Sequence, residues 1–265
     1  MLRRVFSAAG RAARQLVAPP ASDDSTVAVL RAMEARLAAL EQAAQGGAVT
    51  YMGRGLVLVR LLVHGVRMAV LVEADDRLIS PWLIVAGGYE TELTDHFVGV
   101  LRPEDHCLDV GANFGYFTLL FARFAPRGRI LGVEPDEHMF ALARDNIHNN
   151  GLGGVASMVQ AAACDAPRAS VEMHRRVGRS GNTSIAPPSP SFLVELGEAP
   201  SVAFTVPGLP VDALLDRLEG RLDVMKVDVE GAEPLVLAGA SRAIATNPDL
   251  QIVMEWSPGQ IRSAG

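Results

Sequence analysis

Two short stretches of this sequence hold residue types that could do chemistry together. The first is Asp109-Val110-Gly111-Ala112-Asn113-Phe114-Gly115, a D-x-G-x-x-x-G pattern at the end of an apolar run. Gly111 and Gly115 can take backbone angles closed to other residues, or let a ligand approach the main chain. A helix from about Phe114 to Phe124 would aim unpaired N–H groups into that turn, and Asp109 adds a carboxylate. The second stretch is Lys226-Val227-Asp228-Val229-Glu230-Gly231. Strand alternation places Lys226, Asp228 and Glu230 on one face. A run otherwise made of Leu, Val and Met does not take three charges without a reason. Lys226 is the chain's single lysine, where arginine is used 23 times. An ammonium is a compact charge whose pKa burial can move, unlike a guanidinium.

A carboxylate beside a helix N-terminus suits a ligand that carries an amino group and a carboxylate together, as the methionine end of S-adenosylmethionine does. A dinucleotide turn wants G-x-G-x-x-G around a pyrophosphate; here the spacing differs and position 113 is Asn113. Glu134 lies 25 residues after Asp109, where an acid takes the ribose hydroxyls of a nucleoside cofactor. Asp165, beyond a third strand, could accept an adenine amino group. For methyl transfer, Asp228 or Glu230 would orient or deprotonate a substrate hydroxyl while Lys226 holds one of those carboxylates. Asp228, Glu230 and Glu255 could offer oxygens to a metal, but none is expected to be required. Two rival readings are a nicotinamide-dependent oxidoreductase on a similar sheet and a non-catalytic interaction module.

These groups need strands to carry them. Cys107–Val110, Arg129–Glu134, Val155–Ala163, Leu222–Asp228 and Leu250–Glu255 read as core strands. Helices are expected at Asp136–Asn150, Asp212–Leu218 and Ala232–Ala240 between them. That alternation predicts an α/β fold: a Rossmann-like, doubly wound, mainly parallel sheet with helices on both faces. Ligands bind such sheets at the carboxyl ends of the strands. Residues 169–175 and 201–206 read as two added strands. Between them, Gly178–Pro200 is a long loop of the kind that covers binding sites. A β-hairpin over 55–73, turning at His64-Gly65, precedes an interrupted helix over 81–101 that contains Tyr89-Glu90.

The 265 residues suit one domain of 49–265 and an N-terminal extension of 1–48. Residues 25–45 carry Leu30, Met33, Leu37, Leu40 and Ala44 at coiled-coil spacing, a candidate homodimer seam. Residues 1–22 contain Arg3, Arg4, Arg11 and Arg14 and no acid; they read as a basic tail, with a transit peptide or a peripheral membrane helix as the functional alternatives. The net charge of −6 argues against nucleic acid as the main partner. Two cysteines make no disulfide framework and point to a reducing, cytoplasmic setting. No apolar run is long enough to span a membrane.

The sequence resembles the FkbM-type methyltransferases, a branch of the class I S-adenosylmethionine-dependent enzymes. The resemblance rests on DVGANFGYFT (109–118), VEPDEHMFALARDNIHNN (133–150), the block from Val211 to Ser241 with its KVDVEGAE core, and VMEW (253–256). It implies S-adenosylmethionine as methyl donor and methylation of an oxygen on a small-molecule or glycan acceptor. Carried over, Asp109, Gly111, Asn113 and Gly115 hold the methionine end and Glu134 the ribose. Asp228 and Glu230 face the reacting centre, and Glu90 with Tyr89 covers the cofactor. Class I enzymes add an antiparallel strand pair after the fifth core strand. This sequence ends ten residues after Glu255, so that pair is expected to be missing, or its place taken by the hairpin at 55–73, or the sequence to be a fragment.

Overall fold

The structure is a computed structural model that describes residues 49–187 and 189–264. The expected basic tail and coiled coil lie outside the described residues. Val49–Gly53 (β1), Leu56–Val63 (β2) and Val66–Glu73 (β3) form an antiparallel sheet in the order β1-β2-β3. The expected hairpin is β2–β3, and β1 is a strand beyond it. Its turn sits at His64 and Gly65, with φ of 46° and 81°, the signs a two-residue type I′ turn requires.

Ser80–Ala86 (α1) and Thr91–Val100 (α2) follow, parted at Gly87 where φ is 68°. The core then alternates through Cys107–Val110 (β4), Tyr116–Phe124 (α3), Ile130–Val133 (β5), Glu137–Asn149 (α4) and Ala156–Val159 (β6). Next come Ala162–Ala163 (β7), Arg168–Arg175 (β8), Pro190–Glu195 (α5) and Val202–Leu209 (β9). Val224–Val227 (β10), Glu233–Ala238 (α6), Ser241–Thr246 (α7), Gln251–Met254 (β11) and Pro258–Ala264 (α8) complete it. Five strands pair in parallel in the order β11-β10-β4-β5-β6, which is the doubly wound sheet expected from the sequence.

Two expectations are corrected. The strand read over 155–163 is two strands: β6 ends the main sheet, while β7 leaves it to pair with β9 in a separate sheet ordered β7-β9-β8. The helix read over 212–218 is a pair of 3₁₀ turns, Val211–Ala213 and Leu215–Leu218. The turns end at Glu219 and Gly220, both at positive φ. Asp212 turns away to cap α7, accepting from Arg242 N and Ala243 N.

The strand pleat divides the core in two. Cys107, Ile130 and Val224 face α3, α4 and the β1–β3 sheet. Leu108, Val110, Leu131, Met225 and Val227 face the 3₁₀ turns, α6 and α7. Asp109 and Lys226 sit opposite each other on β4 and β10, and alternation puts both on the α3 side. α3 has nine residues, seven of them buried. A helix that short is marginal alone, so packing holds it. Phe97 and Phe117 lie 5.6 Å apart, Phe97 and Phe121 4.8 Å, all edge to face.

α4 also grips the edge of β3. Asn146 Oδ1 accepts from Leu71 N and its Nδ2 donates to Leu71 O and Phe114 O. One turn later Asn150 makes the same two bonds to Ala69. Two side-chain amides thus satisfy a strand edge that would otherwise be left open.

Candidate active site

β4 connects onward to one side of the sheet and β10 to the other, so their following loops part and leave a crevice at the strand ends. A cavity of about 840 Å³ fills it. Gly111-Ala112-Asn113 and Asp228-Val229-Glu230 line it from the two strand ends. Glu134 and Ala161–Ala163 line it from β5 and β7; Leu78, Ile79 and Trp82 from α1; Ser180, Gly181 and Thr183 from the long loop.

Gly111 lets the two strand-end loops meet. Its φ is +78°, and a Cβ there would lie 1.8 Å from the carbonyl oxygen of Asp228. Glu90, Asn113 and Glu230 have φ of 41°, 52° and 54° and line the same cavity. They are three of the six non-glycine residues at positive φ among those described. Such conformations cost about 1–3 kcal/mol each and collect at functional sites.

Glu134 is 4% exposed. Its Oε2 accepts from Asn113 N at 2.7 Å and its Oε1 from Asp136 N at 2.9 Å. Each oxygen keeps a lone pair for a hydroxyl donor. Burial pushes its pKa up to about 8, against the opposing pull of the two backbone N–H groups.

Lys226 is 4% exposed and holds Asp228: Nζ donates to Asp228 Oδ2 at 3.0 Å. The same Nζ lies 3.8 Å from Asp109 Oδ1 and 5.0 Å from the Phe117 ring centroid. Burial lowers the lysine pKa, but the Asp228 and Asp109 carboxylates outweigh it and the net shift is upward. Lys226 therefore stays charged and holds the Asp228 side chain at the cavity wall.

Glu230 Oε1 accepts from Asn182 Nδ2 at 3.2 Å, and its other oxygen from Gln260 Nε2. Burial, then Asp228 and Glu255, push its pKa up to about 8. Partial burial, then Asp228, raises Glu255 to about 7. Oxygens of Asp228, Glu230 and Glu255 all lie within 4.8 Å of one another. Burial raises both Tyr89 and Glu90, and the neighbouring Glu90 charge adds to the shift of Tyr89.

Of the residues singled out in the sequence, Gly111, Asn113, Glu134, Glu90, Lys226, Asp228 and Glu230 all line this cavity. Three others sit elsewhere. Asp109 is fully buried below it, accepting from Thr118 Oγ1 at 2.7 Å, because alternation turns it under α3 rather than out of the strand end. Gly115 starts α3 and packs on α4, where a Cβ would meet that of Ala143 at 3.0 Å. Asp165 pairs with Arg168 at 2.6 Å on the surface, because β7 has left the main sheet. Asp76, Trp82 and Asn182 belong to the cavity's surroundings and were not expected. For Asp76 the usable signal is an acid just ahead of a helix that opens with Ser80-Pro81.

The raised carboxyls set a direction for stability. Folded Glu134, Glu230 and Glu255 hold protons above the ordinary 4.5, so the folded state binds more protons than the unfolded one. Stability then falls as pH rises from about 4.5 to about 8. Exposed Glu104, Asp165 and Glu219 are lowered by their arginine partners; they act oppositely, but below that window. Urea denaturation should give a protein less stable at pH 8.5 than at pH 5.5, and Glu230→Gln should shrink that difference. A stability that rises over the same interval contradicts the assignment.

The methyltransferase FkbM domain matches residues 109–262, more than half of the chain. The chain belongs to the FkbM methyltransferase family. This FkbM-family chain is 27% identical over 198 residues to methyltransferase sdnD of Sordaria araneosa, covering 66% of the chain and 76% of that protein. It is 34% identical over 87 residues to the 23S rRNA (uracil(1939)-C(5))-methyltransferase RlmD of Acidithiobacillus ferrooxidans, covering 33% of the chain and 19% of that enzyme. The solved methyltransferase FkbM from Methylobacillus flagellatus KT is 18% identical with a TM-score of 0.39; the match covers 59% of the chain and 34% of that structure. The family span takes in the two loops on either side of the crevice. Among the described residues, no helix is long and apolar enough to cross a membrane.

Proposed function

We propose that this FkbM-family methyltransferase uses S-adenosylmethionine to methylate a hydroxyl oxygen of a small-molecule or glycan acceptor. The observation that carries the reading is convergence: the glycine turn, Glu134 and the Lys226–Asp228 pair meet in one cavity. The residues present suit the donor. Gly111 leaves open main chain at the strand end, and Glu134 has a free lone pair on each oxygen for two ribose hydroxyls. When bound, the donor supplies an electrophilic methyl group on a sulfonium.

The chain's own residues do the rest. Asn113 and Glu134 hold each other through the 2.7 Å backbone bond, which fixes the cofactor turn before anything binds. Asp228, aimed by Lys226, accepts the hydrogen of the acceptor hydroxyl and orients its oxygen. Glu230 lies beside it with a pKa of about 8, close enough to neutrality to take a proton. We read the site as metal-independent, since Asp228 already has a buried ammonium partner; turnover should survive chelation.

The deciding experiment is calorimetric titration of S-adenosylhomocysteine, with NAD as control, into the parent protein and Glu134→Ala. Micromolar binding of the first ligand only is expected, weakened by the substitution by about 10-fold or more, the loss of one buried hydrogen-bonding carboxyl. Tight NAD binding, or an unchanged constant in Glu134→Ala, refutes the reading.

A further inference from the structure

We propose that Asp76 is a positioning residue that couples the cofactor turn to the α1 wall of the cavity; this rests on the reading that the cavity binds S-adenosylhomocysteine. Asp76 is 4% exposed and lies outside the family span. Its Oδ2 accepts from Ile79 N at 2.7 Å and Ser80 N at 2.8 Å, tying down the start of α1. Its Oδ1 accepts from Ser180 N at 3.1 Å and Ser180 Oγ at 3.2 Å, tying down the long loop. One carboxylate thus uses about four lone-pair sites on neutral donors from two segments 104 residues apart.

Those two segments are adjoining walls of the cavity. Leu78, Ile79 and Trp82 line it from one, Ser180, Gly181 and Thr183 from the other. They lie against each other: a Cβ on Gly181 would meet side-chain atoms of Leu78 and Ile79 at 3.3 Å. Arg77 N also donates to Gly178 O at 3.0 Å. The loop is strung onward to the cofactor end, where Asn113 Nδ2 donates to Ser180 O at 3.0 Å. Beyond that, Asn182 reaches Glu230. A continuous chain of bonds therefore runs from the glycine turn through Ser180 and Asp76 to the helix that carries Trp82.

A buried carboxylate is an expensive way to close a loop. For stability alone, apolar packing does as well. What the carboxylate adds is stiffness, because charge-assisted hydrogen bonds are the strong ones. A joint of four such bonds makes the loop and α1 move as one body. With the Asn113 backbone held by Glu134, a ligand that moves the Asn113 side chain then moves the α1 wall.

Trp82 reports on that wall. The chain has two tryptophans, so Trp256→Phe leaves Trp82 as the sole emitter. In that background S-adenosylhomocysteine is added, its affinity read by calorimetry and Trp82 by acrylamide quenching. We expect saturation with ligand to lower the quenching constant about twofold. In Asp76→Asn the amide turns N–H groups toward one donor pair whichever way it sits. That variant should bind the ligand within about threefold of the parent yet lose the Trp82 response. Ser180→Ala, which removes one bond of the four, should keep the parent's urea midpoint to within experimental error and lose part of the response; it decides the matter if Asp76→Asn fails to fold. Binding without a Trp82 response in the parent, or a full response in both variants, overturns the coupling while leaving the cofactor reading intact. Absence of binding in the parent overturns the cofactor reading and the coupling with it.

Discussion

Replacing Lys226 with Met should destabilise the protein by about 3–5 kcal/mol at pH 8, the usual loss when one partner of a buried ion pair is removed. Met keeps the volume and the contact with Phe117, so the loss isolates charge. What it leaves behind is Asp109, fully buried, with Oδ1 lacking any hydrogen bond and Lys226 as its cation. Burial already pushes Asp109 upward, with Lys226 as the chief opposing influence. The lysine's own contribution has the opposite sign to a lowered acid. Its folded pKa is raised, so it stabilises fully below the ordinary 10.5 and is lost only as pH climbs through the raised value. The Lys226→Met defect should therefore shrink as pH falls and Asp109 takes a proton, and Asp109→Asn in the same chain should recover much of it. Urea titrations of the parent and the two variants measure this. A Lys226→Met protein as stable as its parent at pH 8 would show that the ammonium does not compensate Asp109.

Asp228→Asn should leave S-adenosylhomocysteine affinity within about threefold and reduce turnover by about 10²–10⁴, the span of general acid–base contributions. Asparagine keeps the shape and one acceptor, so Lys226 Nζ still finds an oxygen. It removes the negative charge that would draw a hydroxyl proton. The assay is thioether product formed with any hydroxylated acceptor the parent methylates, run from pH 6 to 9. If Glu230 rather than Asp228 takes the proton, the parent's rate climbs to about pH 8, the value to which burial moves that group. Glu230→Gln then flattens the profile while Asp228→Asn only lowers it. Full turnover in a cofactor-binding Asp228→Asn protein would remove Asp228 from the mechanism.

The strand ends were readable because punctuation and period mark them locally. Gly111 follows an apolar run, Glu134 precedes Pro135, and Lys226 to Glu230 place charges where apolar residues were due. What misled was geometry fixed by partners far away. Alternation along a strand puts Asp109 and Leu108 on opposite faces. Only the pairing of β4 with β10 reveals that the face of Asp109 is the one under α3, opposite Lys226. Asp165 was assigned by extending a strand past Val159, yet pairing with Gly208 and Leu209 draws β7 into another sheet. Asp76 is the extreme case: its place ahead of α1 leaves a local signal, but nothing local points to Ser180, its partner 104 residues away.

The amides of Asn146 and Asn150 have a consequence for where this protein can be cut. The family domain begins at residue 109, but the hydrogen bonds of α4 reach back to Ala69 and Leu71. A chain trimmed at that border would bury an Asn146 amide with its strand partners gone. It would also bare the flank of α3 and α4 that Val59, Leu61, Val70 and Val72 now cover. The unit of folding is thus longer than the family domain, and it takes in a sheet that lines no part of the cavity.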